Sequence, residues 1–290
     1  MILVAGGTGR LGSVLVQGFL RDGIPVRVLT RNTDAAARLS ADGADCVVGD
    51  IRNSEDAARA VAGCSTVISA VSGFGPMGSS TPESVDRDGN LNLIRASARA
   101  GVGHVILVSM HGAAADASLP LLRMKHAAEQ ALRGADLDWT IIRPTACLET
   151  YLDALGQSLK EKNSTTVFGS GNIPVNFVSV TDTAALIRRA VDDPALRGQS
   201  IDWGGTDLTL NELSDALHAS AGTAGKTNRI PLPALRMMAV AAKPFSPFMA
   251  RVAQAAVAMN TTDMTFDARP ERERVAGLPW TGLTEALASR

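Results

Sequence analysis

Cysteine is scarce in this chain of 290 residues, which contains only Cys46, Cys64 and Cys147. The three lie far apart and form no C-x-x-C pair, so the sequence indicates neither a zinc site nor a disulfide framework. Each lies in or beside an apolar run, which predicts buried free thiols. We therefore expect a functional site without a metal ion.

Excess charge of one sign and long hydrophobic runs are also missing. The formal net charge is -1, so no electrostatic argument favours nucleic acid as the main partner. No apolar run reaches the ~18 residues that a membrane-spanning helix needs, and charged residues and prolines interrupt the richest stretch, 235–259. Because a strand pattern starts at residue 2, we expect no signal peptide. These absences predict a cytoplasmic protein with no nucleic acid and no membrane partner.

Glycines, in contrast, are plentiful, and four of them cluster in one turn near the start of the chain. They match G-x-G-x-x-G between an apolar run at 1–5 and a helical pattern, a context typical of a dinucleotide site. We expect Gly7 to allow the tight turn, Gly9 to leave room for a pyrophosphate and Gly12 to let the helix approach the strand. The helix N-terminus would offer free N–H groups and its positive dipole end to the phosphates. The predicted contacts are Gly6, Gly7, Thr8, Gly9, Arg10, Leu11 and Gly12.

Strand and helix patterns alternate through the first half of the chain. Apolar strand patterns occur at 25–30, 45–49, 66–70, 104–109 and 139–143, and helical patterns at 34–39, 54–62, 85–100 and 121–133. Apolar strands separated by helices predict an α/β fold with a doubly wound parallel sheet. The second half is less regular. It has a helix at 182–191, a sheet strand at 200–203, a capping box at 209–212 and two apolar helical pieces split at 243–247.

The end of the second strand predicts which nicotinamide cofactor binds. An NAD site usually places a carboxylate there, on the adenosine ribose, but this chain has Arg31 and no carboxylate. A guanidinium binds a 2′-phosphate through charge-assisted hydrogen bonds, so we favour NADP(H) over NAD. Arg10 and Arg38 would add positive charge nearby. The alternative is that Arg31 is a solvated loop residue and that NAD binds without a ribose clamp.

The third and fourth strands end in further candidate cofactor contacts. Asp50 would accept a hydrogen bond from the adenine amino group, with Ile51 against the ring. The alternative is that Asp50 caps the turn at 51–54. Ala70 and Val71 end the fourth strand, and the glycine-rich loop at 73–78 follows it. Loops at the carboxyl ends of parallel strands shape the ligand crevice of such sheets.

With these segments placed, the chain resembles the atypical short-chain dehydrogenase/reductases, and within them the NmrA-like NAD(P)-binding family. The resemblance covers most of residues 1–205. The matching segments are Gly6-Gly7-Thr8-Gly9-x-x-Gly12, Arg31, Gly49-Asp50, Val108-Ser109, Lys125 within 124–129, and the stretches 138–144 and 177–182.

The resemblance implies a Rossmann domain that carries NADP(H) and a small C-terminal domain that covers the nicotinamide end. It also places Lys125 near the nicotinamide ribose. We assign residues 1–148 to the Rossmann domain, with 165–205 returning to its sheet. Residues 149–164 and 206–290 would form a small, mostly helical substrate domain.

One departure from the family pattern concerns the proton donor. Hydride transfer to a carbonyl needs an acid for the developing oxyanion, and typical short-chain dehydrogenases use a tyrosine four residues before the lysine. That position here is Leu121, and the one tyrosine of the chain is Tyr151, beyond the sixth strand. The usual Tyr-Lys pair is therefore absent, which disfavours ordinary alcohol dehydrogenation.

Three residues are candidate catalytic substitutes. Lys125 would act as acid or base if desolvation lowered its pKa, the alternative being a surface lysine that pairs with Glu129. His111 titrates in a useful range, the alternative being an exposed loop histidine. Ser109 would hydrogen-bond a substrate oxygen, or else cap the turn after the fifth strand.

Two functions remain open, and with them whether the chain is an enzyme. The first is an NADP(H)-dependent oxidoreductase that reduces a small, largely apolar carbonyl, quinone or enone, since a delocalised acceptor needs no strong acid. The second is a non-catalytic NAD(P)-binding redox sensor. An apolar set would suit a substrate cap, a buried core or a homodimer face. Its members are Leu148, Leu152, Leu155, Met237, Met238, Phe245, Phe248 and Met249.

Overall fold

The computed structural model describes residues 1–75 and 80–289. Residues 76–78 of the predicted glycine-rich loop lie outside this range. The described strands are β1 Ile2–Ala5, β2 Val26–Thr30, β3 Asp45–Val48, β4 Thr66–Ser69, β5 His104–Val108, β6 Asp138–Pro144, β7 Ala146–Cys147, β8 Ser164–Phe168, β9 Val175–Val178, β10 Gln199–Trp203, β11 Thr206–Leu208 and β12 Lys226–Ile230.

Helices connect most of these strands. The described α-helices are α1 Arg10–Arg21, α2 Thr33–Ala41, α3 Ser54–Val61, α4 Asn90–Ala100, α5 Pro120–Arg133, α6 Leu148–Lys162, α7 Val180–Asp192, α8 Leu210–Ser220, α9 Leu232–Ala241, α10 Pro247–Thr261, α11 Arg269–Arg274 and α12 Leu283–Ala288. In the described part of the chain, no helix has both the length and the apolar character to span a bilayer.

Seven strands form one sheet in the order β10-β6-β5-β4-β1-β2-β3. Strands β1 to β6 pair in parallel, so their carboxyl ends share one edge of the sheet. All four residues of β1 are buried, as are all five of β5, because helices cover both faces of a doubly wound sheet. The predicted fold class is confirmed.

The predicted helix at 85–100 begins earlier and changes geometry along its length. Residues Pro82–Gly89 form a π-helix, and α4 continues from Asn90. Thr81 and Ser84 form a capping box at its start, and Pro82 occupies the first turn. A π-helix is rare and often marks a functional site. Here it carries Asp86, which has no exposed surface.

The chain divides into two compact units. The first comprises Met1–Pro144 and Thr183–Asp202, and the second Thr145–Asp182 and Trp203–Arg290. We expected residues 165–205 to return to the large sheet, and for 165–182 this is wrong. Strand β8 pairs with β12, and β9 pairs with β7 and β11, so these strands complete two small sheets of the second unit. Only β10 joins the seven-stranded sheet.

The second unit has an apolar core of its own. Leu148, Leu152 and Leu155 of α6 pack there, beside Phe177 of β9. Tyr151 stacks edge-to-face on Phe177, and burial raises the pKa of its phenol to about 12. Three residues of the predicted apolar cap therefore belong to this core. All three cysteines of the chain are free, although only Cys64 is fully buried.

A candidate cofactor cleft and an adjoining polar network

A cleft of about 890 Å³ lies at the carboxyl ends of the strands in the first unit. The glycine turn and the ends of β2, β3 and β4 form its wall. The predicted cofactor contacts that line it are Gly6, Thr8, Gly9, Arg31, Asp50, Ile51, Ala70 and Val71. Those that do not line it are Gly7, Arg10, Leu11, Gly12, Arg38 and Lys125.

The glycine turn divides its roles differently from the sequence prediction. Gly6, not Gly7, adopts the left-handed backbone, with φ of +85°, and a side chain at Gly6 would lie 2.7 Å from the Ala70 carbonyl oxygen. Gly7 is needed for packing, because its Cβ would lie 2.7 Å from Val28 Cγ1. A Cβ at Gly12 would lie only 2.1 Å from Gly6 O, which confirms the expected close approach of the helix.

The first helix begins in a way that suits an anion. Helix α1 starts at Arg10, its N-cap is Gly9, and no side chain caps it. Its first turn holds no acidic residue, so no carboxylate there competes with a bound anion for the positive end of the helix dipole. Gly9 lies on the cleft wall, where it presents backbone without a Cβ. The turn therefore fits the diphosphate of a dinucleotide.

Arg31 and Asp50 lie close together on the cleft wall. Nη1 of Arg31 donates to Ser80 Oγ at 2.8 Å and lies 3.9 Å from Asp50 Oδ2. Asp50 also accepts from the backbone N–H and the guanidinium of Arg52, and this pairing holds the pKa of its carboxyl below the ordinary value. Asp50 thus makes the turn-capping contact that we considered as its alternative role. Arg38 is exposed on α2, outside the cleft.

Lys125 is buried on α5, with 5% of its surface exposed. Its Nζ donates to Val71 O at 3.0 Å and to Val108 O at 2.9 Å, and it lies 3.0 Å from Asp86 Oδ1. That carboxylate oxygen makes no hydrogen bond in the described part of the chain, so the lysine charge is what offsets it. The alternative of a surface lysine paired with Glu129 is therefore wrong. Lys125 links the ends of β4 and β5 to the π-helix.

Glu129 is also fully buried, and it is the centre of a second cluster. Arg143, on β6, binds both of its carboxylate oxygens, and Nη2 of Arg133 lies 3.4 Å away. Ser109 donates its hydroxyl to the same carboxylate. The buried Glu129 raises the pKa of Arg143. The Ser109 hydroxyl therefore donates to a buried carboxylate and not to the backbone of the turn after β5.

His111 and Asp202 form the outer end of this network. His111 Nδ1 lies 2.8 Å from Asp202 Oδ1, and the two side chains are 38% and 32% exposed. The His111 backbone N–H donates to Pro144 O at 2.9 Å, which holds the loop beside the end of β6. An ionised carboxylate only accepts hydrogen bonds, so Nδ1 of His111 carries the proton that is donated to Asp202. Arg143 Nη1 lies 3.9 Å from Asp202 Oδ2 and joins the two clusters.

Sequence reasoning missed the acidic members of this network. Asp86, Glu129 and Asp202 come from three different elements, and each meets a basic partner from another element. One usable signal was the spacing of Glu129 four residues after Lys125, which suggested the wrong partner. The local sequence gave no signal for Asp202.

A family profile and several known proteins are similar to this chain. The sequence profile of the NAD(P)H-binding family matches residues 6–194. An NAD(P)H azoreductase of Xenophilus azovorans is 29% identical over 224 residues, which cover 77% of this chain and 74% of that protein. The photosystem II assembly factor Ycf39 of Trieres chinensis is 28% identical over 238 residues, which cover 82% of this chain and 74% of that protein.

Two solved structures share the fold. Triphenylmethane reductase of a Citrobacter species, complexed with NADP(H), has a TM-score of 0.79 at 20% identity and covers 99% of each chain. The NADPH-dependent quinone oxidoreductase QOR2 of Escherichia coli, complexed with NADPH, has a TM-score of 0.78 at 21% identity. That alignment covers 100% of this chain and 99% of the other.

The parallel sheet with a glycine turn after its first strand defines a dinucleotide-binding protein of the Rossmann class. The chain belongs to the NAD(P)H-binding family, and this supports its resemblance to the NmrA-like group of atypical short-chain dehydrogenase/reductases. Family membership confirms the predicted nicotinamide cofactor.

Proposed function

We propose that the protein is an NADP(H)-dependent reductase of a small, largely apolar carbonyl, quinone or enone. The observation that carries this proposal is the continuity between the cleft and the polar network. Val71 lines the cleft and accepts a hydrogen bond from Lys125. Lys125 also bonds the end of β5, from which Ser109 and His111 follow. A cofactor cleft and a His-Asp pair thus lie on one edge of one sheet.

The residues of the cleft suit the parts of NADPH. The amides of the glycine turn would bind the diphosphate, and Arg31 would bind the 2′-phosphate. Ile51 and Val85 supply apolar wall beside the end of β3, which suits the adenine ring. When bound, the cofactor supplies a hydride for transfer to the acceptor.

Of the three catalytic candidates, His111 has the geometry that best suits a proton donor. Lys125 Nζ donates to two backbone carbonyls and pairs with the carboxylate of Asp86, and Ser109 already donates to Glu129. His111 keeps part of its ring exposed, and Asp202 orients the ring through Nδ1. In this proposal His111 protonates the reduced acceptor. Lys125 holds the backbone at the ends of β4 and β5, and Ser109 holds the carboxylate of Glu129.

The similar proteins support a reductase of conjugated acceptors. Their names are azoreductase, triphenylmethane reductase and quinone oxidoreductase. Hydride transfer to a delocalised acceptor leaves a charge that is easier to hold, which is consistent with the missing tyrosine at position 121.

The direct test is NADPH oxidation by the purified chain across matched quinones, enones, azo compounds and simple aldehydes. We expect turnover with the conjugated acceptors and little or none with the simple aldehydes. Tight NADPH binding without turnover on any acceptor would contradict the proposal. It would favour the second candidate, a cofactor-sensing protein, which the similarity to an assembly factor and the engagement of Lys125 and Ser109 support.

The cofactor preference has its own test in Arg31→Ala. We expect NADPH affinity to fall by ~1.5–3 kcal/mol, because a charged hydrogen bond to the 2′-phosphate is lost, while NADH affinity changes little. Isothermal titration with the two cofactors measures this. Arg38→Ala is the matched control, since Arg38 lies outside the cleft. Equal losses for NADPH and NADH would show that Arg31 does not recognise the 2′-phosphate.

A further inference from the structure

The helical pair α9 and α10 exposes large apolar side chains in the second unit. Met237 is 68% exposed, Val240 69% and Phe245 89%. Met237 and Val240 lie one turn apart on the outer face of α9, while Leu235 and Ala239 of the same helix are buried. Together with Met249, these exposed residues form what we call the apolar ridge. The predicted apolar cap thus includes side chains that this unit leaves uncovered.

Prolines and a break between helices place Phe245 at the tip of this ridge. Helix α9 ends at Ala241 and α10 begins at Pro247, so Phe245 lies in the connecting turn. Pro244 and Pro247 prevent a continuous helix through the turn. Large exposed apolar patches of this kind mark sites of contact with a partner, a ligand or a membrane.

The sequence segment that carries the ridge has charge of one sign. Residues 216–262 contain five basic residues and no aspartate or glutamate, although the whole chain has a net charge of -1. Arg236 and Lys243 flank the ridge and are exposed. Neither forms an ion pair with any residue in the described ranges 1–75 and 80–289. Their charges are therefore available to an anionic partner.

We propose that the apolar ridge contacts the surface of an anionic lipid bilayer. Exposed aromatic and aliphatic side chains insert at the boundary between headgroups and acyl chains, and nearby lysines and arginines attract anionic headgroups. A second copy of the chain is a poorer occupant. A two-fold interface would place the same basic segments opposite each other, and like charges across an interface oppose association.

This inference goes beyond the proposed reductase function and does not depend on it. It departs from our sequence-based expectation of no membrane partner. That expectation rested on the absence of a spanning run, and surface contact through exposed side chains needs no such run.

Vesicle co-sedimentation tests the inference with the full chain. We expect binding to phosphatidylcholine vesicles that contain phosphatidylglycerol, weaker binding to phosphatidylcholine alone, and release by salt. The double variants Val240→Ser/Phe245→Ser and Arg236→Glu/Lys243→Glu should each weaken binding to the anionic vesicles by about tenfold or more. The controls are Val48→Ser, at an exposed apolar residue of the first unit, and Arg99→Glu, at an exposed cation of α4. Both should bind as the native chain does.

Any of three outcomes would overturn the inference. The first is that the native chain does not sediment with anionic vesicles, and the second is that the control variants lose as much binding as the ridge variants. The third is that size-exclusion chromatography shows a native dimer which Val240→Ser/Phe245→Ser converts to a monomer, without vesicle binding by either form. That last result would assign the ridge to a second copy. NADPH titration and thermal unfolding of each variant show whether it is folded, and NADPH oxidation measured without vesicles reports the reductase function separately.

Discussion

In the variant His111→Gln, the rate of acceptor reduction should fall by about 100-fold or more, while the affinity for NADPH stays unchanged. General acid catalysis by a positioned side chain contributes about 10²–10⁴-fold to a rate. The side-chain amide of glutamine can donate to Asp202, but it is not acidic enough to protonate the acceptor at neutral pH. The ring is partly exposed, so little packing is lost. Stopped-flow single-turnover rates together with NADPH titration measure the two effects.

The matched control is His126→Gln on α5, which changes a histidine outside the His111–Asp202 pair. Its rate should stay within about twofold of the native value, because a substitution outside the proposed proton-donating pair should have a small effect. The smaller variant His111→Gly adds a second readout, because free imidazole in solution should restore part of its rate. If His111→Gln keeps a third or more of the native rate, the proton comes from another source.

Asp202 enters the same experiment as a positioning residue. Asp202→Asn keeps the shape of the side chain but no longer fixes the proton on Nδ1 of His111. We expect kcat to fall while KM and NADPH affinity change little, and we expect no rescue by imidazole. A parallel rise in KM would indicate that Asp202 mainly shapes the substrate site.

The cofactor half of the site could be predicted because its signals are local. The glycine turn, Arg31 and the Asp50-Ile51 pair each follow one strand within a few residues. Parallel strands bring their carboxyl ends to one edge, so three short patterns suffice to define a cleft. Even there, the choice between Gly6 and Gly7 for the left-handed position depended on contacts with Ala70 and Val28. Those contacts come from other strands and cannot be read from the turn itself.

The polar network could not be predicted because its partners are remote in sequence. His111 and Asp202 are separated by 91 residues, and they meet because β10 is placed at the edge beside β6. The same limit applies to the second unit. Apolar and polar residues alternate poorly in β8, and this strand pairs with β12 more than 60 residues later. A prediction from periodicity alone therefore assigns 165–182 to the wrong sheet.

The buried pair Lys125–Asp86 gives the largest expected effect on stability. Lys125→Met should lower the free energy of unfolding by ~3–5 kcal/mol, because the carboxylate of Asp86 is left in a dry interior without its cation. Both side chains are almost completely buried, so solvent offsets little of this loss. Urea unfolding, followed by circular dichroism, measures the change. Lys160→Met is the control on the exposed side of α6, where we expect a change within about ±0.5 kcal/mol.

A double-mutant cycle separates the ion pair from the packing of Lys125. In Asp86→Asn, the side-chain oxygen can still accept the Gly73 N–H that Asp86 Oδ2 accepts at 2.7 Å, but the negative charge is gone. The double variant Asp86→Asn/Lys125→Met should therefore be more stable than Lys125→Met alone, since no buried charge is left unpaired. Suppose instead that Lys125→Met is as stable as the control and abolishes reduction. Lys125 would then act on the reaction directly, and His111 would lose its claim to be the only proton source. The stability of Lys125→Met and its rate of reduction, measured together, thus decide whether this lysine holds the end of β5 in place or carries the chemistry itself.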